Sequence, residues 1–460
     1  IWYIMSDKSI NPKGTKDYGP IELLSRRFII NIIRNVFISF GYSEIETPSI
    51  EKRLTLYEKY GEEGDRFIFN IINSGDKVKK ADIKALSSGK LNQFVSSISE
   101  KGLRFDLTVP LARFVAQHFN EISFPFKRFQ IQKVWRSDRP QRGRLQEFTQ
   151  CDADVIGSDS LFLEYEMIQI YSKIFKKLGL KDVIIKVNHR EILNSIANKI
   201  GLIDKFNEFI ILVDKKDKIG VEKLRDLLKK DLNIKDNHLD DLFELFEFSG
   251  KLSDFIKKIT DEFTDSGSIA AIEEINQFYN LIEGSNDLVK VEFDLSLARG
   301  LNYYTGLIFE ISYPNSSLGS LGGGGRYSDL TKSFGVDNLP GIGISFGLER
   351  IHLLMNEKDI FPPLKVPSND ILVVNFDINF INDLKDIISC LRDEGRSIFV
   401  YPDAVKISKQ FSYANKNNFH SVLIYGQEEK DDGVIKIRSM NNGKEKLFKF
   451  KKFISEFSKM

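Results

Sequence analysis

The chain is poor in the residues that crosslink small domains or hold structural metals. Its 460 residues contain two cysteines, Cys151 and Cys390, and five scattered histidines. Two thiols exclude a disulfide framework and suit a reducing, cytoplasmic compartment. So few soft ligands argue against a structural zinc site, and no metal-ligating residue is assigned. A strong net charge is also missing, since 66 basic residues against 65 acidic ones leave +1. Any binding of nucleic acid must therefore come from local patches. No apolar run approaches the ~20 residues of a membrane-spanning helix, so no membrane partner is expected. The four residues before Met5 lack the basic start of a secretory signal.

What is present is the composition of a soluble globular protein, 42% hydrophobic and 28% charged, in a length that suits two to four domains. Apolar residues at 3–4 spacing predict a helix over 21–37, ending at Gly41. The stretch Asp65–Ile72 reads as a strand, and the polar 74–101 as an insertion in a hairpin. LRFDLTVPLARF (103–114) reads as a further strand, with Arg104, Asp106 and Thr108 alternating against Leu103, Phe105, Leu107 and Val109. From Arg190 to about Leu288 strand signals become rare and helical periodicity dominates, as in LRDLLKKDL and DDLFELFEF. Strand character returns at Val289–Leu297. The Pro-rich FPPLKVPS (361–368) marks a domain boundary. Beyond it a βαβαβ pattern with two further strands predicts a small α/β domain.

The most informative stretch is 127–154. Phe129, Ile131, Lys133 and Trp135 share one parity, and Arg128, Gln130, Gln132, Val134 and Arg136 the other. After a basic turn at 137–143, Cys151, Ala153 and Val155 alternate with Gln150, Asp152 and Asp154. This predicts an antiparallel hairpin with one polar face. Drawn as paired strands, that face puts Arg136 near Gln150, Asp152 and Asp154, with Arg142 and Arg144 at the tip. A cation beside carboxylates suits a zwitterion, or a phosphate next to a positive group. An ordinary solvated strand face has the same pattern. Further on, four glycines at 322–325 before a probable helix let a ligand lie against the backbone, or form a linker. Pro340–Glu357 reads strand–Gly–helix, with Arg350 in the first helical turn.

WRSDRPQRGRLQEFTQCDADVIG (135–157) resembles motif 2 of class II aminoacyl-tRNA synthetases, in its histidyl-tRNA synthetase form. In the expected order there are also a Pro-x-Gly start (NPKGTKDYG), a motif-1 helix–strand–Pro through Pro48, RGLNYYTG, GGGGRY and a motif-3 strand–helix. Asn302 and Ser328 stand where the family commonly has Asp. The resemblance covers nearly the whole chain. It implies an α+β fold, the class II antiparallel sheet flanked by helices, with a helical insertion and a C-terminal α/β anticodon-binding domain. The implied divisions are a catalytic core at 5–188 and 289–362, the insertion at 189–288 and the anticodon domain at 369–460.

The implied function is a histidine–tRNA ligase, forming histidyl-adenylate from L-histidine and ATP and then charging tRNA(His), as a homodimer with Mg2+. Residue by residue, the resemblance makes Arg136, Arg299 and Arg350 catalytic. Asp106, Leu107, Thr108, Gln150, Asp154, Tyr303 and Tyr304 would bind histidine. Arg136, Arg144 and Arg350 would bind ATP, and Gln141 and Arg142 tRNA. Two alternatives are a histidine-sensing regulatory subunit of ATP-phosphoribosyltransferase and a synthetase for threonine or proline. Intact arginines and residues 370–460 argue against the first, and the histidine signatures against the second. A pseudoenzyme within a signalling protein finds no kinase motif to support it.

Overall fold

A computed structural model of the chain describes residues 11–57, 67–248, 252–299, 303–328, 330–364 and 369–457. It divides into two compact units, Ile1–Phe361 and Pro362–Met460.

The first unit opens with the helix Pro20–Ser39, whose Ile29, Ile33, Val36 and Phe37 are buried. Pro20 supplies a preset first turn, and Gly41, at φ +81°, follows its end. Short strands follow: β1 (Ser43–Glu44), β2 (Ile50–Lys52), β3 (Asn70–Ile71) and β4 (Lys101–Leu103). Then come β5 (Phe126–Trp135), β6 (Glu147–Ile156) and β7 (Ile184–His189). Helices from Arg190–Lys199 to Ser266–Ile282 intervene before β8 (Lys290–Phe293), β9 (Tyr304–Ser312), β10 (Gly322–Tyr327) and β11 (Gly341–Gly347).

Eight of these strands form one sheet in the order β1-β5-β6-β11-β10-β9-β7-β8. It is antiparallel except at its two ends, where β1–β5 and β7–β8 run parallel. One face carries Phe129, Cys151, Ala153, Ile344 and Phe346 and packs on the helices Pro20–Ser39 and Phe162–Lys177. Phe37 meets Phe129 at 5.3 Å between ring centroids, and Tyr171 meets Phe346 at 4.8 Å. Side chains alternate across a strand, so burying this set turns the polar set to the other face.

Three readings need correction. Residues 103–114 are not one strand: β4 stops at Leu103 and a helix runs Thr108–Gln117. Asp106 Oδ1 accepts the Val109 N–H (3.2 Å) and Pro110 lies in the first turn, both helix-start features that outweigh a short alternation. The glycine run is not a loop before a helix but β10, inside the sheet. The strand expected over 289–297 is only Lys290–Phe293. Of the strand expected at 65–72, Asn70–Ile71 is formed, while 58–66 lie outside the described residues. The polar 74–101 stretch holds three short helices, Gly75–Lys80, Ile83–Ser87 and Leu91–Ile98, between the antiparallel pair β3–β4.

The second unit has its own sheet: β12 (Ile371–Val373), β13 (Ile398–Val400), β14 (Ser421–Ile424), β15 (Val434–Ser439) and β16 (Glu445–Lys449). The order is β13-β12-β14-β15-β16, with the first three parallel and the last two antiparallel. Helices Ile378–Asp393 and Ile407–Lys416 make the crossovers.

The glycines of β10 are needed for close packing. A Cβ on Gly324 would fall 2.0 Å from the Gly343 carbonyl oxygen and 2.7 Å from the Ile344 Cα, both backbone atoms that cannot step aside. Gly324→Ala is expected to destabilise the first unit by ~1–3 kcal/mol. Calorimetry would show a lower thermal midpoint; an unchanged midpoint would contradict this packing.

Candidate active site

The polar face of the sheet is a floor built in rows. Across β5, β6 and β11 the register aligns Gln132–Gln150–Gly347, Gln130–Asp152–Ser345 and Arg128–Asp154–Gly343. The middle row continues through Gly323 of β10 to Glu310 of β9 and Lys186 of β7. Glycines leave room above it. A Cβ on Gly323 would lie 2.3 Å from Arg299 Nη1, and one on Gly343 would lie 2.0 Å from Asp154 Oδ1. A Cβ on Gly325 would come 3.0 Å from a Tyr304 ring carbon. Arg299, Asp154 and Tyr304 thus lie directly over backbone that carries no side chain.

One end of the floor is cationic. Arg299 follows a turn held by Asn188, whose Nδ2 donates to the carbonyls of Leu295 (3.2 Å) and Leu297 (3.0 Å). It pairs with Glu310 at 3.3 Å. Arg350 sits in the first turn of the helix Leu348–Glu357 and donates to the Ser320 carbonyl at 2.6 Å. That helix is fastened to the first one: Arg26 meets Glu349 at 2.8 Å and Ser25 meets His352 at 2.6 Å. Burial pulls the Arg350 guanidinium below its ordinary value; Arg144, Arg136 and Arg299 push the same way, against Glu310. Four arginines therefore converge, an arrangement that suits a polyphosphate.

Arg136 leaves β5 and donates to the Phe105 carbonyl at 3.1 Å, its guanidinium 4.3 Å from the Phe105 ring centre and 5.2 Å from that of Phe148. Arg144 pairs with Asp138 at 2.6 Å, and Arg142 with Glu357. Gln141 and Arg144 close the hairpin tip across Gly143, whose φ of +72° suits glycine.

The other end is acidic and buried. Asp154 Oδ2 lies 2.7 Å from Arg128 Nη2, and the Tyr327 hydroxyl donates to Asp154 Oδ1 at 2.7 Å. Gln150 Nε2 reaches both Asp152 oxygens at 3.4 Å and the Ser345 hydroxyl at 3.3 Å. Burial raises the Asp152 carboxyl to about 7, helped by Asp154 and Asp106 and opposed by Arg128 and Ser345. Burial also raises Asp154, with Arg128 and Tyr327 acting against it and Asp106 with it. Tyr304, buried, stacks edgewise-tilted on Tyr303 at 4.7 Å, and Tyr303 meets Tyr327 at 6.1 Å.

The floor brings together Gln150, Asp154, Tyr303 and Tyr304. The cationic end gathers Arg136, Arg144, Arg299 and Arg350. Asp106 joins the acidic group through its charge, while Thr108 opens the following helix and Leu107 is wholly buried. Gln141 and Arg142 lie at the tip, away from the floor's rows. One placement was wrong: the cation beside Asp154 is Arg128 and not Arg136. The ladder sets Arg128 opposite Asp154 and Gln132 opposite Gln150, which leaves Arg136 beyond the strand's end. Arg128 and Tyr327 were missed. Parity already put Arg128 on the polar face; its partner depended on register. Ser328 follows β10 directly, and Asn302 lies outside the described residues.

A family model described as histidyl-tRNA synthetase matches residues 85–351, and one described as anticodon binding domain matches 370–460. The chain belongs to the histidyl-tRNA synthetase family. A histidine–tRNA ligase of Christiangramia forsetii is 45% identical to this synthetase-family chain over 97% of it and 98% of the relative. Among solved structures, the histidyl-tRNA synthetase of Nostoc sp. PCC 7120 has a TM-score of 0.73 at 25% identity, covering 98% of this chain and 99% of its own. An ATP phosphoribosyltransferase regulatory subunit/histidyl-tRNA synthetase of Bacillus halodurans has a TM-score of 0.68 at 20% identity, over 90% and 97%. At that identity the likeness is one of fold. Among the described residues no helix is long and apolar enough to cross a membrane.

The raised Asp152 carboxyl predicts a pH signature. An unfolded carboxyl ionises near ~4, whereas the folded one keeps its proton until about 7. Between those values the folded state binds more protons, so its stability falls as pH rises. Asp152→Asn, neutral throughout, should raise the thermal midpoint over the parent more at pH 8 than at pH 5. A gain equal at both pH values would show that Asp152 does not titrate in this window.

Proposed function

We infer that the chain joins histidine to tRNA in two steps on the floor described above. The observation that carries this reading is the pairing of a four-arginine end with a buried acid–tyrosine end, in a chain whose relatives are histidine–tRNA ligases. A bipolar site suits a substrate pair whose joined part is anionic and whose amino-acid part offers N–H donors.

In the first step a histidine carboxylate oxygen bonds to the ATP α-phosphorus as the bond to pyrophosphate breaks. Little covalent work falls to the protein, and positioning with charge neutralisation governs the rate. Arg136 and Arg299 bracket the carboxylate and α-phosphate. Arg350, with Arg144, holds the outer phosphates. Gln150, Asp106 and Thr108 take the ammonium group, with Leu107 packing between them. Asp154 accepts an imidazole N–H, and Tyr303 and Tyr304 wall the ring; a neutral imidazole has one donor and one acceptor, so a fixed acceptor discriminates. In the second step a ribose hydroxyl at the 3′ end of tRNA(His) attacks the histidyl carbonyl, and AMP leaves. Gln141 and Arg142 meet the tRNA acceptor end.

Mg2+ accompanies ATP in this reading. It commonly takes one or two carboxylates plus phosphate oxygens and keeps several waters. Glu310, beside Arg299, fits that need; the ion would neutralise phosphate charge. The division into a core at 5–188 and 289–362, an insertion at 189–288 and an anticodon-reading domain at 369–460 belongs to the same reading. So do a homodimer through the motif-1 region and work in the cytoplasm.

Histidine-dependent ATP–pyrophosphate exchange tests the reading, with threonine and proline as controls. Exchange is expected with histidine alone. Arg299→Ala should remain folded and lose adenylate formation by ~100-fold or more, the scale of losing one charge-stabilising group. An Arg299→Ala variant that exchanges at the parent rate would overturn that role. Asp154→Ala should raise KM for histidine far more than KM for ATP, and equal changes would refute the imidazole assignment.

A further inference from the structure

Arg128 is among the largest fully buried side chains of the protein. It sits on β5, opposite Asp154 on β6, at the acidic end of the floor. Its Nη2 is 2.7 Å from Asp154 Oδ2. Yet none of its three nitrogens has a well-aligned hydrogen-bond acceptor among the described residues, so the contact is an ion pair without directional bonds. A buried guanidinium is costly unless its charge is matched. Here its neighbourhood is strongly acidic, which offsets that cost.

The groups facing Asp154 can be enumerated. From β5 comes Arg128, from β6 Asp152, and from the segment before Thr108–Gln117 comes Asp106. Tyr327 of β10 and Tyr304 of β9 face it as well, and Tyr42 lies within electrostatic reach. Among these groups Arg128 is the one cation, and the carboxylates besides Asp154 itself are two, Asp152 and Asp106. Burial and then Asp106 favour a protonated Asp154, and Arg128, followed by the Tyr327 hydroxyl, opposes them.

We propose that Arg128 is a positioning residue for histidine recognition, keeping Asp154 ionised and aimed so that it can accept an imidazole N–H. The inference rests on the reading that Asp154 receives the imidazole. An ionised Asp154 is an acceptor only, whereas a protonated one presents an O–H and no longer selects a donor. The Tyr327 hydroxyl fixes Oδ1 from one side and Arg128 fixes Oδ2 from the other, over the space left by Gly343. Each oxygen retains a lone pair for the ligand.

The test is exchange kinetics on the full chain from pH 6 to 9, for the parent, Arg128→Met, Arg128→Lys and Asp154→Asn. The titration of free histidine is common to all of them and drops out of the comparison. Arg128→Met should raise KM for histidine about tenfold or more at pH 7, while KM for ATP stays within about twofold. Its acid limb in kcat/KM for histidine should move to higher pH by about one unit. Arg128→Lys keeps the charge and should restore the limb. If the Met variant does not fold, the Lys variant decides: a parental limb supports the inference and a shifted one overturns it. A Met variant whose profile superimposes on the parent's also overturns it, provided Asp154→Asn impairs histidine use. An Asp154→Asn variant with a parental histidine KM would instead overturn the reading of Asp154 itself, and the inference with it.

Discussion

Everything at this site depends on the ladder that pairs β6 with β5 on one side and β11 on the other. A strand alternates its side chains, so a slip of one residue in β6 would send Gln150, Asp152 and Asp154 into the helix-packed face. The apolar set forbids that slip. Cys151, Ala153 and Val155 are wholly buried, and Phe129 and Phe346 flank them on the neighbouring strands. The hydrophobic face therefore fixes the register, and the register fixes which polar groups meet.

The floor has two ends of opposite character with bare backbone between them. Four arginines gather at one end and three carboxylates at the other. The glycines of β10 and β11 let Arg299, Tyr304 and Asp154 lie against the sheet, where larger residues would hold them off it. The charges remain apart because different elements carry them: β6 holds Asp152 and Asp154, β5 holds Arg128 and the segment before Thr108–Gln117 holds Asp106, while the four arginines come from connections and from a helix start. Arg26 and Ser25 fasten that helix to the first one, and the Thr149 N–H of β6 donates to Glu349, which together keep Arg350 in place.

Much of this was legible in the sequence, for identifiable reasons. The hairpin read at 127–154 and the strand–Gly–helix read at 340–357 have long, clean periodicities, and the structure forms them as Phe126–Trp135 with Glu147–Ile156 and as Gly341–Gly347 with Leu348–Glu357. The parity of Arg128 was legible too. Its pairing with Asp154 was not, because which residues face each other depends on how many residues the turn absorbs. Residues 103–114 misled because seven alternating residues also fit the approach to a helix, and the start signals at Asp106 and Pro110 carried more weight. Glycines misled in the opposite way: four in a row usually mean a loop, and only the close approach of Arg299 and the Gly343 backbone explains them inside a strand.

The order of strands across the sheet also bears on how the protein comes into being. β5 and β6 are joined by a short turn and can pair as soon as both exist. The pairing of β6 with β11 must close the whole segment between Ile156 and Gly341, and long closures carry the larger entropic cost and the slower formation. On a chain made from its N-terminus, the acidic half of the site is therefore complete long before its glycine-lined neighbour has been synthesised. Until then the β6 edge, with its buried carboxylates, stands unpaired. The nascent protein must keep that edge from pairing with other chains while the segment from Ile156 to Gly341 is made.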